Sequence, residues 1–367
     1  MKPKSQIVDL PVYQPGKPIE EVRREFGLSE VIKLASNENP FGCSPKVKEA
    51  ILAELDNMQL YPDGAAYELK TALSRFYGVG TDQLIIGAGS DELIALITRA
   101  YLTPDDETVM ASHTFSQYKH NATIEGATSI EVPMVEGKHD LSAMLSAITG
   151  KTKIVWICNP NNPTGTMLTH GEVADFIANV PPHVLIVLDE AYYEYTRGTD
   201  FPRSLELMKQ HPNVLILRTF SKAYGMASLR IGYGIGSPDI IHSINQVRGP
   251  FNTTRVAQAA AVAALQDQEY IQRCISLNRE GIEYLTGEFA RLGLSWFPAF
   301  GNFIMVETNR PAKDMFEALL RRGIIVRGGH VLGFPTKLRV TVGSREQNEA
   351  FIRALEEVLN EVGVVTV

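Results

Sequence analysis

Cysteine is scarce in this 367-residue chain. Cys43, Cys158 and Cys274 lie far apart, so they form neither a metal-ligand pair nor a disulfide framework. A reducing cytoplasm is the expected compartment. Positive charge is also short. The chain has 35 Lys and Arg against 42 Asp and Glu, a formal net charge of -7, which argues against nonspecific nucleic-acid binding. No apolar run approaches the roughly 20 residues that span a bilayer, and the first six residues carry no apolar core of a signal peptide. Neither a membrane nor a nucleic acid is an expected partner. Several catalytic signatures are missing too. The eight histidines show no HExxH spacing, and no metal site is expected. Gly87 and Gly89 begin a dinucleotide fingerprint, but its third glycine position is Glu92. Gly150-Lys151-Thr152 lacks the upstream glycine of a P-loop, because position 145 is Leu145.

What is present is the composition of a globular protein, with 44% hydrophobic and 21% charged residues. Residues 12–18 are rich in proline and glycine and predict an irregular arm. A short strand over 31–34 runs into a turn-rich loop at 35–42. A helix then starts at Pro45 with Val47, Ile51, Leu52 and Leu55 on one face, and a second carries Leu69, Leu73 and Phe76 inside. From residue 84 short apolar strands alternate with helices. The strands are expected at 84–87, 108–111, 129–133, 153–158, 184–188, 214–218 and 231–235, and the helices at 91–101, 117–125, 141–148 and 169–180. Near-continuous Val/Ile/Leu strands in that alternation predict an α/β fold, a large domain with a mainly parallel sheet flanked by helices. Helices over 257–265 and 270–292 leave it. Strands at 302–306, 324–326 and 338–342 with helices at 312–322 and 346–359 then predict a smaller α+β domain. The expected division is an arm at 1–30, a small domain of 31–45 with 266–367, and a large domain over 46–265.

In open α/β sheets ligands sit outside the carboxyl ends of the strands, and the unusual residues collect there. The apolar run at 214–217 ends in Thr219, Ser221 and Lys222, with Arg230 after a short glycine-containing loop. That set suits a Schiff-base lysine beside a bound phosphate; a solvated surface loop fits this stretch equally well. Ser90 and Asp91 open a helix whose free N–H groups would hold a phosphate, and an ordinary helix cap accounts for them too. Phe115 and Tyr118 follow a strand and could stack on a planar ring, although packing is the commoner use. The run Asn159 to Gly165 contains two Asn-Pro steps that leave a short amide exposed at a fixed place, which favours a functional role. Asp189 ends a wholly apolar strand, which is costly without a cationic or protonated partner. A protonated pyridine nitrogen would serve, and so would a role as helix N-cap.

Taken together, several motifs carry a resemblance over nearly the whole chain. They are Leu34 to Pro40, Tyr61-Pro62-Asp63-Gly64, Gly89-Ser90-Asp91-Glu92, Asn159 to Gly165, Asp189-Glu190-Ala191-Tyr192, Thr219-Phe220-Ser221-Lys222, Arg230, and Leu338 to Gly343. In this order they resemble the pyridoxal-phosphate-dependent aminotransferases of fold type I. Within them the sequence looks like the branch that interconverts histidinol phosphate and 2-oxoglutarate with imidazole-acetol phosphate and glutamate. An aromatic amino acid aminotransferase, or a decarboxylase on a similar frame, is the alternative. The resemblance implies roles residue by residue. Lys222 bonds the cofactor, pyridoxal 5'-phosphate, and moves the Cα proton. Asp189 pairs with the pyridine N–H, and Asn162 and Tyr192 bind the phenolic oxygen. Phe115 packs on the ring where the family usually has tyrosine. Ser90, Asp91, Ser221, Arg230 and Tyr61 hold the phosphate. In the family that tyrosine comes from the other subunit, which implies a homodimer with shared active sites. Arg339 clamps a carboxylate, Arg327 is the second substrate cation, and Tyr13 and Asn37 line the same pocket.

Overall fold

The computed structural model describes residues 1–12 and 16–363. From the N-terminus, α1 (Ile19–Phe26), β1 (Ile32–Lys33), α2 (Pro45–Glu54) and α3 (Tyr67–Tyr77) precede a βα alternation. That alternation comprises β2 (Leu84–Gly87), α4 (Ser90–Tyr101), β3 (Glu107–Ala111), α5 (Gln117–Glu125), β4 (Thr128–Val132), α6 (Leu141–Ser146), β5 (Thr152–Cys158), α7 (His170–Asn179), β6 (Leu185–Asp189), α8 (Ser204–Gln210), β7 (Val214–Thr219), β8 (Gly232–Ile235) and α9 (Pro238–Val247). Helices α10 (Arg255–Leu265) and α11 (Gln268–Arg291) follow. The chain then runs through β9 (Ser295–Trp296), β10 (Phe303–Glu307), α12 (Ala312–Arg321), β11 (Ile324–Ile325), β12 (Arg327–Gly328), β13 (Lys337–Thr341) and α13 (Arg345–Glu361).

Seven strands form one sheet in the order β2-β8-β7-β6-β5-β3-β4. It is parallel except for β8, which runs antiparallel to both neighbours. Its central strands are continuous apolar runs because both faces are covered. On β7, Val214 and Ile216 enter one core while Leu215 and Leu217 enter the other. On β6, Ile186 and Leu188 alternate in the same way with Leu185 and Val187. With no solvent face there is no polar position to interrupt the run. The expected large α/β unit with a mainly parallel sheet is what the chain forms.

A second core gathers around the antiparallel sheet β12-β13-β10-β9, with Phe289, Ile304, Met315, Val340 and Phe351 inside. Leu34, just after β1, belongs to this core, and β1 pairs in parallel with β11. The chain thus returns its first strand to its last third. Helix α13 is set by a capping box in which Ser344 and Gln347 satisfy each other's backbone N–H groups.

Three helices were not expected: α1, α8 and α9. Helix α1 lies in the stretch read as arm. It buries only Val22 fully, against Ala35, Leu320 and Ile325, so its apolar signal is one residue deep. Its acidic first turn (Glu20, Glu21), basic last turn (Arg23, Arg24) and left-handed Gly27 stop are the features that mark it. Among the described residues no helix is long and apolar enough to cross a membrane.

Candidate active site

The carboxyl ends of β6 and β7 supply the two central groups. Asp189 is the last residue of β6, in register with Leu217 of β7. Beyond β7 the chain turns tightly. The Ser221 N–H donates to Thr219 Oγ1 at 3.1 Å, Gly225 N–H to the Lys222 carbonyl at 2.9 Å, and Met226 N–H to the Phe220 carbonyl at 3.1 Å. These bonds fix Lys222 over a cavity of about 220 Å³ that Asp189 also lines. Lys222 Nζ donates to the Ser36 carbonyl at 3.2 Å.

Burial governs the charge of both groups. It pulls the Lys222 amine down to about 8, with the nearby Arg339 guanidinium acting in the same direction. It pushes Asp189 up to about 6 against the opposing hydrogen bond from Tyr118, and the carboxylates of Asp91 and Glu190 add to the rise. Each group is therefore poised far closer to its neutral form than in water. Tyr192, buried in the same wall, is raised by desolvation and stays a phenol.

One end of the cavity is built for an anion. Helix α4 begins at Ser90, immediately after Gly89 in the left-handed region at φ +80°. A Cβ on Gly89 would stand 2.6 Å from Arg230 Nη2, so only glycine lets the guanidinium lie against this turn. A Cβ on Gly232 of β8 would meet the Ser90 nitrogen at 2.7 Å, so the turn also needs a bare strand beneath it. Arg230 Nη1 reaches Ser221 Oγ at 3.5 Å, and Nη2 lies 3.6 Å from Asp91 Oδ2. A helix N-terminus, two serine hydroxyls and an arginine thus converge on one point.

The opposite wall is a polar network. Asn37 Nδ2 donates to the Tyr192 hydroxyl at 2.9 Å, and Asn37 is held by Thr341 Oγ1 through its N–H at 2.9 Å and its Oδ1 at 3.1 Å. Arg339 donates to Asn162 Oδ1 at 2.6 Å and to the Ala35 carbonyl at 2.7 Å. Arg327 of β12 stands directly opposite Arg339 of β13.

The structure brings most of the expected site residues together. Lys222, Asp189, Tyr192, Ser90, Asp91, Phe115, Asn162, Ser221 and Arg230 all line the cavity. Asn37 joins this wall through its bond to the Tyr192 hydroxyl, and Arg339 through Asn162. Tyr61 is 78% exposed and stacked on Phe251, ring centroids 4.7 Å apart. Tyr13 lies outside the described residues. Tyr118 does not offer a stacking face: its hydroxyl donates to Asp189 Oδ2 at 2.7 Å and its ring is stacked on Trp156. A buried ion pair escaped the sequence reading. Arg218 donates to Glu190 Oε2 from Nε at 2.9 Å and from Nη2 at 2.7 Å, with the guanidinium over the Tyr193 ring. The available signal was one charge beside each of two apolar strand ends.

The family model for aminotransferase class I and II matches residues 29–355. The chain belongs to that family. It is 54% identical to the histidinol-phosphate aminotransferase of Geobacillus sp. (strain WCH70), over 98% of this chain and 99% of that protein. It is 53% identical to the enzyme of the same name from Brevibacillus brevis, again over 98% and 99%. Among solved structures, the histidinol-phosphate aminotransferase of Sinorhizobium meliloti in complex with pyridoxal-5'-phosphate superposes with a TM-score of 0.90 at 29% identity, over 97% of each chain.

The burial of Asp189 has a measurable consequence. Its pKa rises from an ordinary 3.8 to about 6. The folded ligand-free chain therefore binds more protons than the unfolded chain between about pH 4 and 6, and its stability falls as pH rises through that window. Above pH 6 the ionised carboxylate costs up to about 3 kcal/mol. Asp189→Asn removes that charge while keeping an acceptor for Tyr118. The ligand-free variant is expected to melt above the parent at pH 8, with the gap closing toward pH 4. Melting below the parent at pH 8 would contradict the assignment.

Proposed function

We propose that this chain transfers an amino group between L-histidinol phosphate and 2-oxoglutarate in histidine biosynthesis, using pyridoxal 5'-phosphate. The products are imidazole-acetol phosphate and L-glutamate. The observation that carries the reading is the shared cavity: an amine, a carboxylate and an anion site line one small volume. The residues fit the three polar parts of the cofactor. Its phosphate matches Ser90, the Asp91 N–H, Ser221 and Arg230; its aldehyde carbon matches Lys222; its pyridine nitrogen matches Asp189. When bound, the group supplies an electron sink for charge that develops at the substrate Cα.

The chain's own residues do the rest. Lys222, with its amine drawn down to about 8, holds the cofactor and carries the Cα proton. Asp189 keeps a proton on the pyridine nitrogen. Tyr192 accepts from Asn37, which leaves its own hydroxyl proton for the phenolic oxygen. Asn162 accepts from Arg339 through Oδ1, so its amide N–H would be left to donate to the same oxygen. Phe115 closes the ring face.

Substrate choice falls to Arg327 and Arg339. Residues directly opposite in an antiparallel pair share a face of the sheet, so the register brings both guanidinium groups to one side. Histidinol phosphate offers a phosphate, and glutamate offers two carboxylates; a guanidinium fork binds either. Asn37 bears on this end of the cavity through Tyr192, and Tyr13 completes it in the proposal.

The working unit in this reading is a cytoplasmic homodimer. Leu52, Met58, Leu60, Tyr61, Tyr67 and Phe251 are large, apolar and exposed. Burying such side chains against a second copy is favourable, and in this reading Tyr61 serves the partner's phosphate site.

Two experiments follow. Arg327→Leu and Arg339→Leu are each expected to weaken both half-reactions, by roughly 1.5–3 kcal/mol for a lost charge-assisted contact. Phenylalanine, with one carboxylate, should depend on Arg339 and much less on Arg327. The check is kcat/KM for histidinol phosphate, glutamate and phenylalanine on each variant. Equal damage to phenylalanine and histidinol phosphate by Arg327→Leu would place the phosphate elsewhere, and a parent enzyme preferring phenylalanine would overturn the substrate assignment. Mixing Tyr61→Phe with Lys222→Ala subunits tests the dimer. A shared site gives mixed dimers with one intact site, so activity returns after exchange; a verified mixed dimer that stays inactive contradicts sharing.

A further inference from the structure

Asp189 cannot do its work merely by being buried. A carboxylate in a dry wall needs a donor to hold it ionised and to fix its rotamer. The obvious source, the cavity side, must be kept for the ligand. The donor has to come from behind.

Tyr118 stands there. It is wholly buried on α5, and its hydroxyl donates to Asp189 Oδ2 at 2.7 Å. Its ring is fixed on both sides. It stacks on Trp156 at 4.6 Å with planes 10° apart, and Phe115 packs edge-on at 5.7 Å. Trp156 is locked in turn, since its Nε1 donates to Thr108 Oγ1 at 2.8 Å and that hydroxyl donates to the Ile154 carbonyl at 3.0 Å. One rigid stack therefore sets the angle of the phenol, and the phenol sets one oxygen of Asp189. The same ring backs Phe115, which lines the cavity. Two features of the site, its acid and its aromatic face, share a single support.

We propose that Tyr118 is a positioning residue that holds Oδ2 of Asp189 at 2.7 Å and so leaves Oδ1, which accepts a longer bond from the Ala191 N–H at 3.3 Å, with a second lone pair for a donor inside the cavity. This rests on the reading above, in which that donor is the pyridine N–H of pyridoxal phosphate. The hydroxyl alone does this work. Packing would be served equally well by phenylalanine, so a structural role predicts that Tyr118→Phe is silent.

The test is a double-mutant cycle of Tyr118→Phe and Asp189→Asn, read by the Kd of pyridoxal phosphate for each protein and by steady-state kinetics. Tyr118→Phe keeps the ring, so its circular dichroism should match the parent. Loss of one hydrogen bond to a charged group should raise Kd roughly 10- to 100-fold. It should lower kcat while leaving KM for the amino donor at the parent's value. In the Asp189→Asn background the amide still accepts from the phenol but carries no charge to set against the pyridine N–H, so the second substitution should change Kd by less than about twofold. An unchanged Kd for Tyr118→Phe, or the same factor in both backgrounds, overturns the role of Tyr118 and leaves the site reading intact. An Asp189→Asn protein that binds as tightly as the parent overturns both.

Discussion

Burying a carboxylate and an amine in one small cavity is the constraint on which the rest of this structure depends. Neither group is comfortable there, as the displacement of Lys222 to about 8 and of Asp189 to about 6 shows. A fold that only needed stability would fill these positions with apolar side chains. In the proposed reading each group is stabilised by the bound cofactor. The sheet supplies the spacing: β6 and β7 are neighbours, and adjacent strands lie about 4.8 Å apart. Acid and lysine therefore project from adjoining strand ends into the same volume.

What holds the strand ends is itself buried and charged. Arg218, on β7, and Glu190, just past β6, form a doubly hydrogen-bonded pair. Ser204 donates to the remaining carboxylate oxygen, and Arg218 lies 3.5 Å from the centroid of Tyr193 and 4.9 Å from that of Tyr77. A pair so placed adds little net stability over apolar residues, but losing one partner leaves an uncompensated charge in the core. Its geometric effect is to lock the segment carrying Asp189 to the segment leading to Lys222. Behind Asp189, Tyr118 and Trp156 form the second brace.

Much of this was legible from residue order. The central strands were readable because burial on both faces makes them uniform, and α5 was bounded correctly by its flanking turns. Helices α1, α8 and α9 were not, because α1 and α8 are short, α1 buries little, and propensity alone is a weak signal at that length. In the site, Lys222, Arg230 and Asp189 stood out because a charge at the end of an apolar strand needs a reason. Tyr118 gave no such sign: a tyrosine on a helix after a strand reads as packing, and its bond to Asp189 spans 71 positions. The Asn37 contact with Tyr192 spans 155 positions and was equally hidden.

In the proposed reading Asp189 keeps a proton on the pyridine nitrogen of a cofactor held by Lys222. The most direct measurement is the nitrogen-15 chemical shift of pyridoxal phosphate labelled at its ring nitrogen and bound to the purified protein. The account predicts a protonated pyridine at neutral pH, coupled to one hydrogen and lost in Asp189→Asn. An unprotonated ring nitrogen in the parent protein at neutral pH would contradict it.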